Sequence, residues 1–109
     1  MTGYLFIETR DPFESRDTEF VAETALALKA RANEVAVFLV QNGVRAARRA
    51  ARDTYLARLT RAGIRVLADD FSLAKRGIAG GELRAGVAES GVEALVEKLA
   101  RRETKAIWH

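Results

Sequence analysis

Short unbroken apolar runs alternate along this chain with longer stretches in which apolar residues recur three and four positions apart. The runs read as strands and the stretches as helices. Gly3 to Thr9, GYLFIET, is rich in strand formers and stops at polar residues and the Asp11-Pro12 break, which makes it a first strand. A first helix is expected from about Thr18 to Ala32, capped by Asp17 or Thr18, with Glu19 in its first turn and Asn33 as its stop. Val35 to Val40, VAVFLV, has no polar face, so it belongs in a parallel sheet as a central or near-central strand buried on both sides.

The chain turns at Gln41 to Val44, and a second helix is expected over Arg45 to Ala62. On it Val44, Ala47, Ala51, Tyr55, Leu59 and Ala62 share one stripe, and Gly63 closes it. Ile64 to Ala68 reads as a third strand, and Phe71 to Arg76 as a helical turn ended by Gly77. The glycine-rich stretch from Gly77 to Gly91 reads mostly as loop, with Arg84 to Ala88 as a short fourth strand. A last helix over Val92 to Arg102 is expected to turn Val92, Leu95, Val96 and Leu99 inward, and Lys105 to Trp108 returns as the final strand. Strand and helix in alternation, with short connections, imply right-handed crossovers. The expected fold is α/β: a three-layer, flavodoxin-like domain, with a mainly parallel sheet of about five strands covered by helices on both faces, in one domain over residues 1–109.

Composition narrows the function classes more than the fold. At 109 residues and 49% apolar the chain supports a single core. It has no cysteine, which excludes disulfides, thiolate metal sites and a thiol nucleophile of its own. The N-terminal residues lack the pattern of a secretory signal, and no apolar run approaches the ~20 residues that span a bilayer. A cytoplasmic protein with no membrane partner is expected. The 18 basic residues are nearly matched by 15 acidic ones. Arg45, Arg49 and Arg52 would line one stripe of the second helix, yet no aromatic platform interleaves them, so a nucleic-acid partner is not expected.

In layered α/β folds ligands bind beyond the carboxyl ends of the strands. That rule gathers Glu8 and Arg10 after the first strand, Asn42 and Gly43 after the second, and Asp69, Asp70, Phe71 and Ser72 after the third. The acid pair in VLADDFSLAKRGI, residues 66–78, admits two readings. With Glu8 it could hold a cation through oxygen ligands, although adjacent residues on a strand point to opposite faces. Alternatively, one of the acids caps the short helix that follows. A receiver domain places its acid pair after the first strand, and a toprim site uses Asp-x-Asp after the third, so neither pattern fits. The loop after the first strand has no glycine to wrap an anion, flavin binding is not expected, and no cofactor is called for. His109, the one histidine, has no nucleophile at a recognisable spacing and makes a poor catalytic candidate. Trp108 reads as a packing or interface residue.

Taken together, VAVFLVQNGV, LARLTRAGIRVLADDFSLAKRGI, GELRAGVAESGVEALVEKL and a terminal apolar strand ending in Trp108 make the chain resemble the DsrE/DsrF/DsrH-like sulfur-relay proteins, which include the Tus subunits of tRNA thiolation. In sulfur-transferring members a cysteine follows the third strand, in a segment of the form Ala-Cys-x-x-Cys/Ser-Leu-x-x-Arg-Gly. The resemblance therefore puts Asp69 at the persulfide position and Ser72 at the second, with Arg76 and Gly77 as retained frame. A carboxylate cannot carry sulfane sulfur, which needs a polarisable thiolate. The resemblance further implies a trimer or hexamer, homomeric or mixed with related subunits. Two functions stand as expectations: a non-catalytic subunit or binding module tied to sulfur trafficking through a partner, and a small cation- or phosphate-dependent enzyme or binder using Glu8, Arg10, Asp69 and Asp70.

Overall fold

A computed structural model gives the structure of the chain and describes residues 3–52 and 54–109. Five strands form one sheet: β1 (Gly3–Glu8), β2 (Glu34–Leu39), β3 (Arg65–Asp69), β4 (Val87–Ser90) and β5 (Thr104–Trp108), in the order β4-β3-β2-β1-β5. Every pairing is parallel. The apolar run of β2 lies at the centre, as its lack of a polar face requires. Val35, Val37 and Leu39 join one core and Phe38 the other.

Strand order decides where the helices go. From β1 to β4 the chain steps across the sheet in one direction, so right-handed crossovers carry α1 (Thr18–Ala30), α2 (Tyr55–Arg61) and α3 (Asp70–Lys75) to the same side. The return from β4 to β5 runs the opposite way and puts α4 (Val92–Leu99) alone on the other side. Val21, Ala22 and Ala25 of α1, Tyr55, Leu56 and Leu59 of α2, and Leu73 of α3 fill the larger core. The second core is Leu5, Ile7, Phe38 and Leu67 under a single helical residue, Leu95. Helices do cover both faces, but unequally.

Three expectations about the elements are corrected. The continuous helix over 45–62 is absent: a 3₁₀ helix, Gln41–Ala47, is followed by irregular chain, and α2 begins only at Tyr55. Contacts from the glycine-rich segment draw off the backbone groups that a helix would need. Arg49 N–H donates to Glu82 O at 2.6 Å, Ala47 O accepts from Arg84 N–H at 2.8 Å, and Arg48 bridges Leu83. Thr54 then restarts the helix by accepting from Leu56 N–H. Arg45, Arg49 and Arg52 therefore share no helical stripe, and Asp53 lies outside the described residues. The fourth strand is Val87–Ser90 rather than 84–88. On α4 only Leu95 is buried; Val92, Val96 and Leu99 face outward, because one short helix against a five-stranded sheet touches it along a single line.

Candidate functional site

The carboxyl ends of the strands carry two separate clusters, because successive residues of a strand point to opposite faces. Glu8 follows Phe6 by two positions and so points to the α1 and α2 side, where it is fully buried. Register places Trp108 beside Ile7, which brings the next residue, His109, alongside Glu8. The imidazole Nδ1 lies 2.9 Å from both carboxylate oxygens of Glu8. Backbone bonds hold this arrangement: His109 N–H donates to Ile7 O, and Thr9 N–H and Oγ1 donate to His109 O. Burial pushes the Glu8 carboxyl above its ordinary value, and the His109 contact only partly offsets that. The nearby Tyr55 hydroxyl is buried with no hydrogen-bond partner among the described residues, and desolvation together with the charges of Glu8 and Asp11 raises its pKa.

Gly43 belongs to this cluster as a packing residue. A Cβ there would fall inside the 3.0 Å that Cβ atoms essentially never breach, against the Glu8 carbonyl oxygen. The 3₁₀ helix can lie across the end of β1 only because this residue has no side chain. Arg10, expected beside Glu8, is exposed and pairs with Asp17 at 2.7 Å; only its backbone N–H reaches the Glu8 carboxylate, at 3.3 Å.

The second cluster gathers at the end of β3. Asp69 ends the strand in extended backbone and caps α3, its Oδ2 accepting from Ser72 N–H at 2.9 Å and from Ser72 Oγ at 2.7 Å. Ser72 Oγ in turn accepts from Gln41 N–H at 2.8 Å. Gln41 sits at φ 51, a left-handed conformation that a non-glycine residue holds only when its surroundings fix it. Arg76 donates through Nε and Nη2 to Asn42 Oδ1, at 3.1 and 2.9 Å, and through Nη1 to Ser72 O at 3.1 Å. An open groove runs over these residues, lined by Val40, Gln41, Arg45, Asp69, Phe71, Ser72, Lys75, Arg76 and Trp108. Phe71 and Trp108 stand in solvent at 67% and 64% exposure, so the packing role expected for Trp108 is not met within this chain.

A sequence model of the DsrE/DsrF-like family matches residues 3–105. The chain belongs to the DsrE/DsrF-like family. Among solved structures it is similar in fold to the ychN protein of E. coli (19% identity, TM-score 0.88) and to MTH1491 of Methanobacterium thermoautotrophicum, a protein described as of unknown function (23% identity, TM-score 0.83), each comparison covering 100% of both chains. No curated protein sequence matches it. In this DsrE/DsrF-like chain the expected constellation thus divides. Asn42, Asp69, Phe71, Ser72 and Arg76 come together around one groove, while the Glu8 side chain is buried against His109 and Gly43 packs on the Glu8 carbonyl oxygen.

The acids that a cation site would need do not converge. Asp69 spends an oxygen on its helix cap, Asp70 is exposed in the first turn of α3, and Glu8 is engaged with His109. Among the described residues no three His, Asp or Glu side chains gather to hold a metal ion. His109 was the residue that local spacing undervalued: its partner lies 101 positions away, and only the β1–β5 register brings the two together.

Proposed function

We propose that this DsrE/DsrF-like protein is a non-catalytic subunit or binding module, able to serve sulfur trafficking only through a partner that carries the thiol. The observation that carries this reading is Asp69. It stands where the family resemblance expects a persulfide-bearing cysteine, in a chain with no cysteine, and its carboxylate is bonded to Ser72 as a helix cap. The surrounding frame of Ser72, Arg76 and Gly77 is kept, so the groove persists as a place to bind.

The reading includes assembly with further copies of this chain. Its support is the thin cover of the sheet on the α4 side, where Val92, Val96 and Leu99 turn an apolar row outward at 54%, 58% and 40% exposure. A domain this small buries such a row by sharing it with a second copy. The cation- or phosphate-dependent alternative loses support, since Asp69 is bonded to Ser72 and Glu8 to His109 while the Arg10 side chain pairs with Asp17.

Intact-mass and native mass spectrometry test both parts. After incubation with a persulfide donor the protein should gain no sulfur, and at micromolar concentration it should run as an oligomer that Val96→Glu dissociates into folded monomers. A stoichiometric sulfur adduct, or a wild-type monomer, would refute the proposal.

A further inference from the structure

The groove beside Asp69 adjoins a second depression lined by Arg45, Arg48, Lys75, Arg76 and Ile78, and the two share Arg45, Lys75 and Arg76. Four cationic side chains, from the last turns of the 3₁₀ helix and α3 and the residue that follows each, thus meet at one place. Their counter-charge is sparse. Among the described residues, Arg48, Lys75 and Arg76 form no ion pair, and Arg45 has only Asp11 and Glu14, at 3.9 and 4.0 Å. Asp69 also lines the groove, but one of its oxygens is taken by Ser72.

Arg76 is the most informative of the four. Its guanidinium is half-buried and fixed by three hydrogen bonds, all to neutral acceptors on Asn42 and Ser72. A guanidinium has five N–H donors, so two remain for a ligand. Holding a cation rigidly, without a carboxylate, costs stability in the empty protein and prepares a fork that matches the oxygens of a phosphate. The left-handed Gln41, pinned through the same Ser72, puts a strained backbone on the rim of the groove. Lys75 lies 5.8 Å from the ring centre of Phe71, a contact that orients the ammonium without neutralising it. Trp108, exposed on the groove wall, can cover a planar group.

We propose that this groove binds the polyphosphate group of a small molecule, held by Arg76 with Arg45, Arg48 and Lys75. The proposal rests on the reading of the groove as a binding site rather than a sulfur-transfer site. It is tested separately, because phosphate affinity is blind to sulfur adducts and the mass measurements are blind to phosphate affinity.

Trp108 is the chain's one tryptophan, so its fluorescence reports on the groove directly. Pyrophosphate and ADP should each be titrated into the protein at low salt, by fluorescence and by calorimetry. Saturable binding that weakens as salt rises is expected with at least one probe. Pyrophosphate binding as tightly as ADP marks a ligand without a ring; tighter ADP binding marks a nucleotide whose ring reaches Trp108 or Phe71. Arg76→Ala would break the contacts to Asn42 and Ser72, so the decisive variant is the exposed pair Arg45→Gln with Lys75→Gln. It should keep its melting temperature and lose about tenfold in affinity. Absence of saturable binding to either probe at millimolar concentration, or wild-type affinity in the double variant, would overturn the proposal.

Discussion

Replacing Gly43 with alanine adds one methyl group, and the structure says where it must go. The new carbon would press on the Glu8 carbonyl oxygen within a distance that Cβ atoms essentially never show, and would lie 3.1 Å from the carbonyl carbon. That oxygen cannot simply move aside, because it accepts a hydrogen bond from Val40 N–H at 3.0 Å and ends a strand paired on both sides. Overpacking of this kind costs about 1–3 kcal/mol, and a weakened backbone hydrogen bond adds about 0.5–1.5 kcal/mol. The sum, roughly 1.5–4.5 kcal/mol, is a large share of the ~5–15 kcal/mol that holds a domain folded. Urea unfolding followed by circular dichroism, at one fixed protein concentration, measures it. Gly81→Ala is the control, since nothing lies within 4 Å of its added carbon; it should be neutral or slightly stabilising. A loss below about 0.5 kcal/mol for Gly43→Ala, or equal losses for the two variants, would show that close approach is not what requires glycine here.

Other expectations concern the buried polar groups. Because burial raises the Glu8 carboxyl above its ordinary 4.5, ionising it opposes folding; its contribution is fully present below 4.5 and is lost as pH rises through the raised folded value. Wild type should therefore lose stability relative to Glu8→Gln as pH climbs from below 4.5 toward neutral, and parallel urea midpoints across that range would contradict the assignment. Tyr55→Phe removes a buried hydroxyl that has no partner among the described residues, so a gain of about 1 kcal/mol is expected by thermal or urea unfolding; a loss would mean the hydroxyl is satisfied in solution. Ser72→Ala strips the Asp69 cap of one donor and leaves Gln41 N–H without its acceptor, for a loss of about 1–3 kcal/mol in the same assay. No change would argue that water replaces the hydroxyl.

Hydrophobic period alone determined most of the architecture. A strand with no polar face had to be central, and β2 is; a helix cap was one of two readings of the acids before the short helix, and Asp69 is that cap. Family membership was likewise legible in the order of the segments. Local pattern failed where backbone groups found distant partners. The stretch 45–62 has helical spacing throughout, but Leu83 and its neighbours take the hydrogen bonds of residues 47–49, and spacing within a segment carries no record of what docks on it.

The division of the site was decided by tertiary structure for the same reason. Which face a strand-end residue joins follows from the pleat, and which residue it meets there follows from register between strands far apart in sequence. Glu8 and Asp69 looked like neighbours because both end strands, yet the pleat sends them to opposite faces. Glu8 and His109 looked unrelated because 101 positions separate them, yet the β1–β5 pairing sets them 2.9 Å apart. The outward row on α4 is also a tertiary outcome: its apolar spacing marked a buried stripe, but strand order left that helix alone on its side of the sheet, with one residue of contact and the rest turned out.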